Sequence, residues 1–174
     1  MKKLFCLSAA LSIAAVFVMA NPVVTSDDHG VKKKKESQWA PNAAIQYHFS
    51  KDFPKAKSLN WTYGKFVEAN FIDNEVAKTA YYDEDDNLVG TTNDVEVTAL
   101  PQKARDHIAK EYPGFSIERV VFFDDNEAND TDMSLFNQSF EDEDNYFPLL
   151  VNGSRQIILQ VSPEGQVAFF KDFK

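Results

Sequence analysis

The chain has 174 residues, with 18 lysines and arginines against 27 aspartates and glutamates, for a formal charge of −9. Such an acidic chain repels phosphate backbones, which argues against a nucleic-acid binder that works by neutralising phosphates. A single cysteine excludes a disulfide scaffold and a cysteine-rich zinc site, while 44% hydrophobic and 13% aromatic residues are enough for one domain that folds without staples.

In chain order, Met1-Lys2-Lys3 is a short basic start, Leu4 to Met19 carries no charge, and Val18-Met19-Ala20 offers small or tolerated residues before Asn21. This is the pattern of a secretory signal peptide over residues 1–20, and its apolar run is short for a membrane span of about twenty residues. Cys6 leaves with it, so the exported chain has no thiol. The expected location is periplasmic or secreted, with no transmembrane segment after cleavage. Loss of Lys2 and Lys3 leaves 16 bases against 27 acids, or −11. Residues 21–41 contain Pro22, Ser26, Gly30, Ser37 and Pro41 and few large apolar groups, and read as a flexible leader. Within it, the basic run Lys32–Lys35 is either simply solvated or drawn to an anionic surface or an acidic patch on the same molecule. Trp39 is the one leader residue expected to pack on something.

From Asn42 onward the pattern is one unit written twice, about 42–98 and 99–174. In the first, Ile45, Phe49 and Phe53 recur at helical spacing up to Pro54. Leu59, Trp61 and Tyr63 then alternate as in a strand. Lys65–Ile72 and Glu75–Asp83 form a hairpin around Asp73-Asn74, and Asp83–Asn87 is a further turn before a strand at Leu88. In the second, Pro101 opens a helix through Ala104, Ile108 and Tyr112 that Pro113-Gly114 stops. Ile117–Phe123, Tyr146–Val151, Ser154–Val161 and Gln166–Phe170 read as strands, with turns at Asn152-Gly153 and Ser162–Gly165. Phe49–Pro54 lies over Ile108–Pro113 at an offset of 59, and Asp73-Asn74 over Asn152-Gly153 at an offset of 79. The difference of 20 is an insertion in the second unit.

Phe53-Pro54, Trp61, Phe71 and the turn Tyr82–Leu88, recurring as Leu100-Pro101, Tyr112-Pro113-Gly114 and Val161–Gly165, resemble the PepSY-like or β-lactamase-inhibitor-like (BLIP-like) family of exported bacterial proteins. The resemblance covers about residues 42–174. Asp86 departs from it, standing where the family prefers glycine, which implies a looser first turn. The resemblance implies an α+β fold, a tandem repeat of helix plus antiparallel sheet with the helices packed on one face. It also implies a binding or inhibitor-like role, with no catalytic residue to carry over.

Candidate chemistry is sparse. No Gly-x-Ser-x-Gly elbow is present, His29 lies in the leader, and His48 and His107 fall on the two helices as surface or boundary residues. No cofactor is implied. Asp83, Asp85 and Asn87 occupy positions 1, 3 and 5 of an EF-hand-like loop, oxygen ligands of the kind calcium takes, but Leu88 holds the position that needs glycine. The same residues also suit an ordinary polar turn.

The insertion, 124–145, holds nine acids and no base, and so carries −9 of the mature −11. Inside it lie Met133, Leu135, Phe136 and Phe140. It either presents these to a partner or folds back on its own domain. Strand alternation sets Val67, Ala69, Phe71, Ala80 and Tyr82 toward the first helix, and Tyr146, Pro148, Leu150, Ile157, Leu159 and Val161 toward the second. The opposite side of the second unit, Phe147, Leu149, Val151, Ile158 and Gln160 together with Phe170, is too apolar to stay wet. Its cover must come from the insertion, the first unit, another copy or a partner. The leading expectation is a non-enzymatic exported binding module that meets a protein or peptide through the open sheet face and hairpin loops. Asp73, Asn74, Phe147, Leu149, Ile158 and Phe170 are its contacts. The alternative is a calcium- or metal-binding envelope protein using Asp83, Asp85 and Asn87 or the acidic insertion.

Overall fold

A computed structural model describes residues 40–173. The signal peptide, Cys6, His29, Lys32–Lys35 and Trp39 lie outside the described residues. Helix α1 (Ala43–Asp52) starts where Asn42, held extended, accepts the Ile45 N–H on its side chain at 3.0 Å. That oxygen supplies a partner to a first-turn donor that has none within the helix. Helix α2 (Gln102–Glu111) starts one residue later than the sequence predicts. Pro101 stays extended, with ψ of 138°, and its carbonyl takes the first helical bonds from Ala104 and Arg105 at 3.0 and 3.1 Å. The two helices end alike. Phe53 and Tyr112 have φ/ψ of −126°/64° and −120°/58°, and each donates its N–H four residues back, to Phe49 and Ile108, at 2.9 Å. A proline follows each cap and disfavours continuing the helix.

Four antiparallel strands follow each helix. β1 (Lys57–Tyr63), β2 (Val67–Asp73), β3 (Val76–Tyr82) and β4 (Leu88–Val95) follow α1. β5 (Ser116–Asp125), β8 (Asn145–Asn152), β9 (Arg155–Val161) and β10 (Val167–Phe173) follow α2. Between β5 and β8 the insertion forms a small hairpin, β6 (Met133–Leu135) and β7 (Gln138–Phe140). The eight long strands make one sheet in the order β1-β2-β3-β4-β5-β8-β9-β10, and β6-β7 forms a second. The architecture is α+β: a mostly antiparallel sheet with two helices.

Two turns sit one residue beyond their predicted places. Asp73 pairs with Val76, and Asn152 with Arg155, so the loops are Asn74-Glu75 and Gly153-Ser154. A two-residue hairpin favours left-handed backbone because its twist then matches that of the strands. Asn74 and Glu75 supply φ of 47° and 70°, and Gly153 supplies 58°. The Asp86 turn is not looser than its counterpart. Asp86 takes φ of 66° where Gly165 takes 79°, and both turns close with the same pair of backbone bonds. These are Asp83 N–H to Asn87 O with Asp86 N–H to Asp83 O, and Ser162 N–H to Gln166 O with Gly165 N–H to Ser162 O.

The register sorts side chains to two sides. Ile45 and Phe49 of α1 share a buried cluster with Val67, Ala69, Phe71, Ala80 and Tyr82. Leu100, Ala104 and Ile108 share another with Val120, Leu150, Ile157, Leu159 and Val161. Following the pairs Ala80↔Thr91, Val95↔Val120, Val120↔Pro148 and Tyr146↔Val161 across the sheet puts both strand sets on one side. The other side carries Phe66, Tyr81, Phe123, Phe147, Ile158 and Phe170, which are buried together with Met133, Leu135 and Phe140 of the insertion.

Candidate functional site

The sheet side that carries Phe66, Tyr81, Phe123, Phe147, Ile158 and Phe170 has two halves. The half from β5 to β10 is covered. Met133, Leu135 and Phe140 are 0%, 8% and 7% exposed, and the Phe140 ring lies 5.2 Å from Phe123, 4.8 Å from Phe147 and 6.1 Å from Phe170. This corrects the expectation that Phe147, Leu149, Ile158 and Phe170 lie on an open face. Phe147, Ile158 and Phe170 are buried and Leu149 packs against the same cluster. The physical reason is the one that made the face suspect: so much contiguous apolar surface has to leave water, and the chain's own insertion removes it.

Polar contacts tie the insertion to the rest. Asn126 donates its side-chain amide to the Leu88 carbonyl at 2.6 Å, and Asn129 donates to Asp83 Oδ2 at 2.8 Å. The other oxygen, Asp83 Oδ1, accepts the backbone N–H groups of Asp85 and Asn87, each at 2.9 Å. Of the three residues singled out for calcium, Asp83 therefore has both oxygens occupied by donors. Among the described residues no group of three or more His, Cys, Asp or Glu side chains is placed to hold a metal ion.

At the neck of the insertion Asp144 Oδ1 accepts the Asp125 N–H at 2.8 Å. Asp125 and Asp142 each bury one carboxylate oxygen that no protein donor reaches. Burial, then the hydrogen bond and charge of Asp142, push the Asp125 carboxyl up to about 7. Two facing carboxylates repel, and one shared proton converts the repulsion into a hydrogen bond. Burial, with Asp144 second, also raises Asp124.

The half from β1 to β4 is more polar, and it is open beyond Phe66, Tyr81 and Val89, which are buried with the insertion. Asn70 donates to Thr62 at 3.2 Å, Thr62 to Glu68 at 3.0 Å, and Thr79 to Asn70 at 2.9 Å. Tyr81 and Thr92 share a buried hydroxyl bond of 3.0 Å, and burial raises the Tyr81 phenol. Beside this ladder runs a groove of about 310 Å³ lined by Asn70, Thr79, Thr92 and Val121, with the Arg119–Asp94 ion pair at 2.7 Å on its border. Val76, Ala77 and Lys78 close its end.

The β2–β3 hairpin thus stands at the groove's mouth. Asp73 is the last strand residue, 3.9 Å from the Lys78 ammonium, and Asn74 is the first of the turn. Asn74 and Glu75 also line a hollow of about 720 Å³ with Pro54, Lys57 and Ile72. Ile72 and Val76 flank the turn and are 38% and 41% exposed. The sequence singles out Asp73 and Asn74 but not Ile72, Val76 or the groove. Ile72 and Val76 fit a strand pattern equally well buried or exposed, and the groove is made by residues from four strands. The structure brings Asp73 and Asn74 to this open half and keeps Phe147, Ile158 and Phe170 under the insertion. His48 is half-buried on α1 and His107 exposed on α2.

No family model matches the chain, and no curated protein matches it by sequence. Solved structures do. A DUF2874 family protein from Bacteroides uniformis superposes with a TM-score of 0.63 at 16% identity, covering 77% of this chain and 90% of its own. A BLIP-like protein from Bacteroides fragilis gives 0.59 at 19% identity, with 78% and 89% covered. A candidate periplasmic protein from Bacteroides eggerthii gives 0.62 at 15% identity, with 77% and 89% covered. At these identities the likeness establishes architecture alone: the chain carries the BLIP-like α+β fold, the β-lactamase-inhibitor-like half of the resemblance read from its turns.

Proposed function

We propose that the chain is an exported, non-enzymatic binding module that takes a protein or peptide partner, inhibitor-like in shape. Its body is a tandem repeat, each unit a helix and four antiparallel strands, with both helices on one side of the sheet. The partner meets the hairpin tip at the edge of the open half, with Asp73 and Asn74 at the tip, Ile72 and Val76 as apolar anchors on opposite sides of it, and the Asn70–Thr79 groove behind them. One observation carries this reading: two exposed branched residues flank a turn that stands between two hollows. Exposed apolar groups rimmed by polar ones are a common form of protein-interaction surface. Export is supported by the signal-peptide pattern and by the B. eggerthii fold neighbour described as a candidate periplasmic protein. A partner of protein nature is supported by the fold shared with a BLIP-like protein.

The test is partner capture from the native envelope by the wild type and by an Ile72→Asp, Val76→Asp double variant. Both positions are partly exposed, so the variant is expected to fold with a lowered melting temperature, and capture is compared below both transitions. Loss of one captured species from the variant is the expected result. Equal capture by both proteins places the contact elsewhere.

A further inference from the structure

The end of α1 turns into β1 through Pro54, and this corner is basic in an acidic chain. Residues 51–57 hold Lys51, Lys55 and Lys57 against Asp52 alone, while the whole chain carries −9. Lys51 lies over the Tyr47 ring at 5.4 Å. Lys55 and Lys57 are exposed and line the hollow of about 720 Å³ that also holds Ile72 and Asn74. Among the described residues no carboxylate pairs with either lysine. The ion pairs are Lys78–Asp73, Lys110–Glu111 and Arg119–Asp94, and Glu75, in the same wall, joins none of them.

Pro54 and Ala56 also line a second hollow, of about 290 Å³, between α1 and β1. Its lining is aromatic: the Phe49 ring lies 5.3 Å from Phe53 and 5.2 Å from Trp61. Leu59, 38% exposed, also lines it. β1 is bulged at this point. Ser58 and Leu59 together face Phe71, between the pairs Lys57↔Ile72 and Asn60↔Asn70, and Ser58 takes φ of 55°. A serine adopts that left-handed backbone only at a cost, and a bulge re-aims the side chains beside it. Here it sets Leu59 at the hollow.

We infer that the two hollows, joined at Pro54 and Ala56, form one seat that takes an acidic segment of the partner. Its carboxylates lie against Lys55 and Lys57, and a neighbouring aromatic or branched side chain lies between α1 and β1. The inference rests on the hairpin-tip reading above and supplies the partner's chemistry. Apolar surface leaving water holds the segment, and charge complementarity sets specificity and association rate. Exposed ion pairs are weak singly and are screened over about 10 Å at 0.1 M salt, so binding falls as salt rises.

The experiment uses the chain from Asn21 onward as bait for a phage-displayed library of random peptides. Enriched sequences are expected to set Asp or Glu beside an aromatic or branched residue. A synthetic peptide of the enriched sequence is expected to bind the Lys55→Glu, Lys57→Glu variant several-fold more weakly than wild type. Lys55→Arg with Lys57→Arg should keep the binding. Both lysines are exposed, and circular dichroism checks that each variant is folded. Trp39→Phe leaves Trp61 as the only indole of that chain, and a saturating tryptophan-free peptide is expected to shift its emission. Failure to enrich acidic sequences, equal binding by the charge-reversed variant, or Trp61 emission unmoved at saturation overturns the inference. Capture from the native envelope separates it from the hairpin reading. A species lost by Ile72→Asp, Val76→Asp but kept by Lys55→Glu, Lys57→Glu leaves the hairpin contact standing and overturns the acidic segment; loss by both variants supports it.

Discussion

If the insertion is a working part of the core, truncating its main anchor must cost what a core residue costs. Phe140 is 7% exposed and touches three other rings, the nearest being Phe147 at a centroid distance of 4.8 Å. Phe-to-Ala changes at buried sites cost about 3–5 kcal/mol, from lost transfer energy plus the cavity left behind. The β6–β7 hairpin is only two three-residue strands, so it can settle partly into the space. Phe140→Ala is therefore expected near the lower end, about 3 kcal/mol. The assay is urea denaturation of the exported chain followed by far-UV circular dichroism, with Phe173→Ala as the control. Phe173 is 37% exposed, and its loss is expected to cost less than half as much. A single transition at a much lower midpoint is the predicted outcome. A change under about 1 kcal/mol, typical of a surface substitution, would refute the reasoning and make the hairpin a loosely laid flap.

Two further predictions concern the same region. A Cβ on Gly90 would lie 2.6 Å from the Phe123 ring and 2.7 Å from the Asp124 carbonyl, so Gly90→Ala is expected to cost about 2 kcal/mol by overpacking, read from the same denaturation curves. Asp125 is raised from 3.8 to about 7, so over that window the folded chain holds a proton that the unfolded chain has released. The pair's contribution therefore falls as pH rises from about 4 to 7, and above 7 the repulsion is fully present. Asp142→Asn puts an amide donor where the shared proton was. Its melting temperature relative to wild type should climb from pH 5 to pH 8, and parallel profiles would contradict the shared proton.

The course of the backbone was largely readable before the structure. Periodicity placed both helices and every long strand, because alternation and four-residue spacing report directly on which side is buried. The hairpin turns slipped by one residue, since Asp73-Asn74 and Asn74-Glu75 are both plausible polar pairs and only the strand register separates them. The excess of apolar groups at Phe147, Ile158 and Phe170 announced a cover, and the apolar island inside the acidic insertion announced a candidate for it. That the two belong together could not be read, because Phe140 and Phe147 meet through the packing of a hairpin whose strands are three residues long. The open surface was the least readable part. Asn70, Thr79, Thr92 and Val121 converge only through the pairing of β2 with β3, β3 with β4 and β4 with β5.

The central claim is that partners meet the hairpin tip on the open half of the sheet. It is tested most directly by placing a photo-crosslinking residue at Asn74 and, separately, at Lys110, an exposed position on α2, and irradiating the protein in its native envelope. The account predicts a discrete crosslinked species from position 74 and none from position 110. Crosslinking from position 110 with none from position 74 would contradict it.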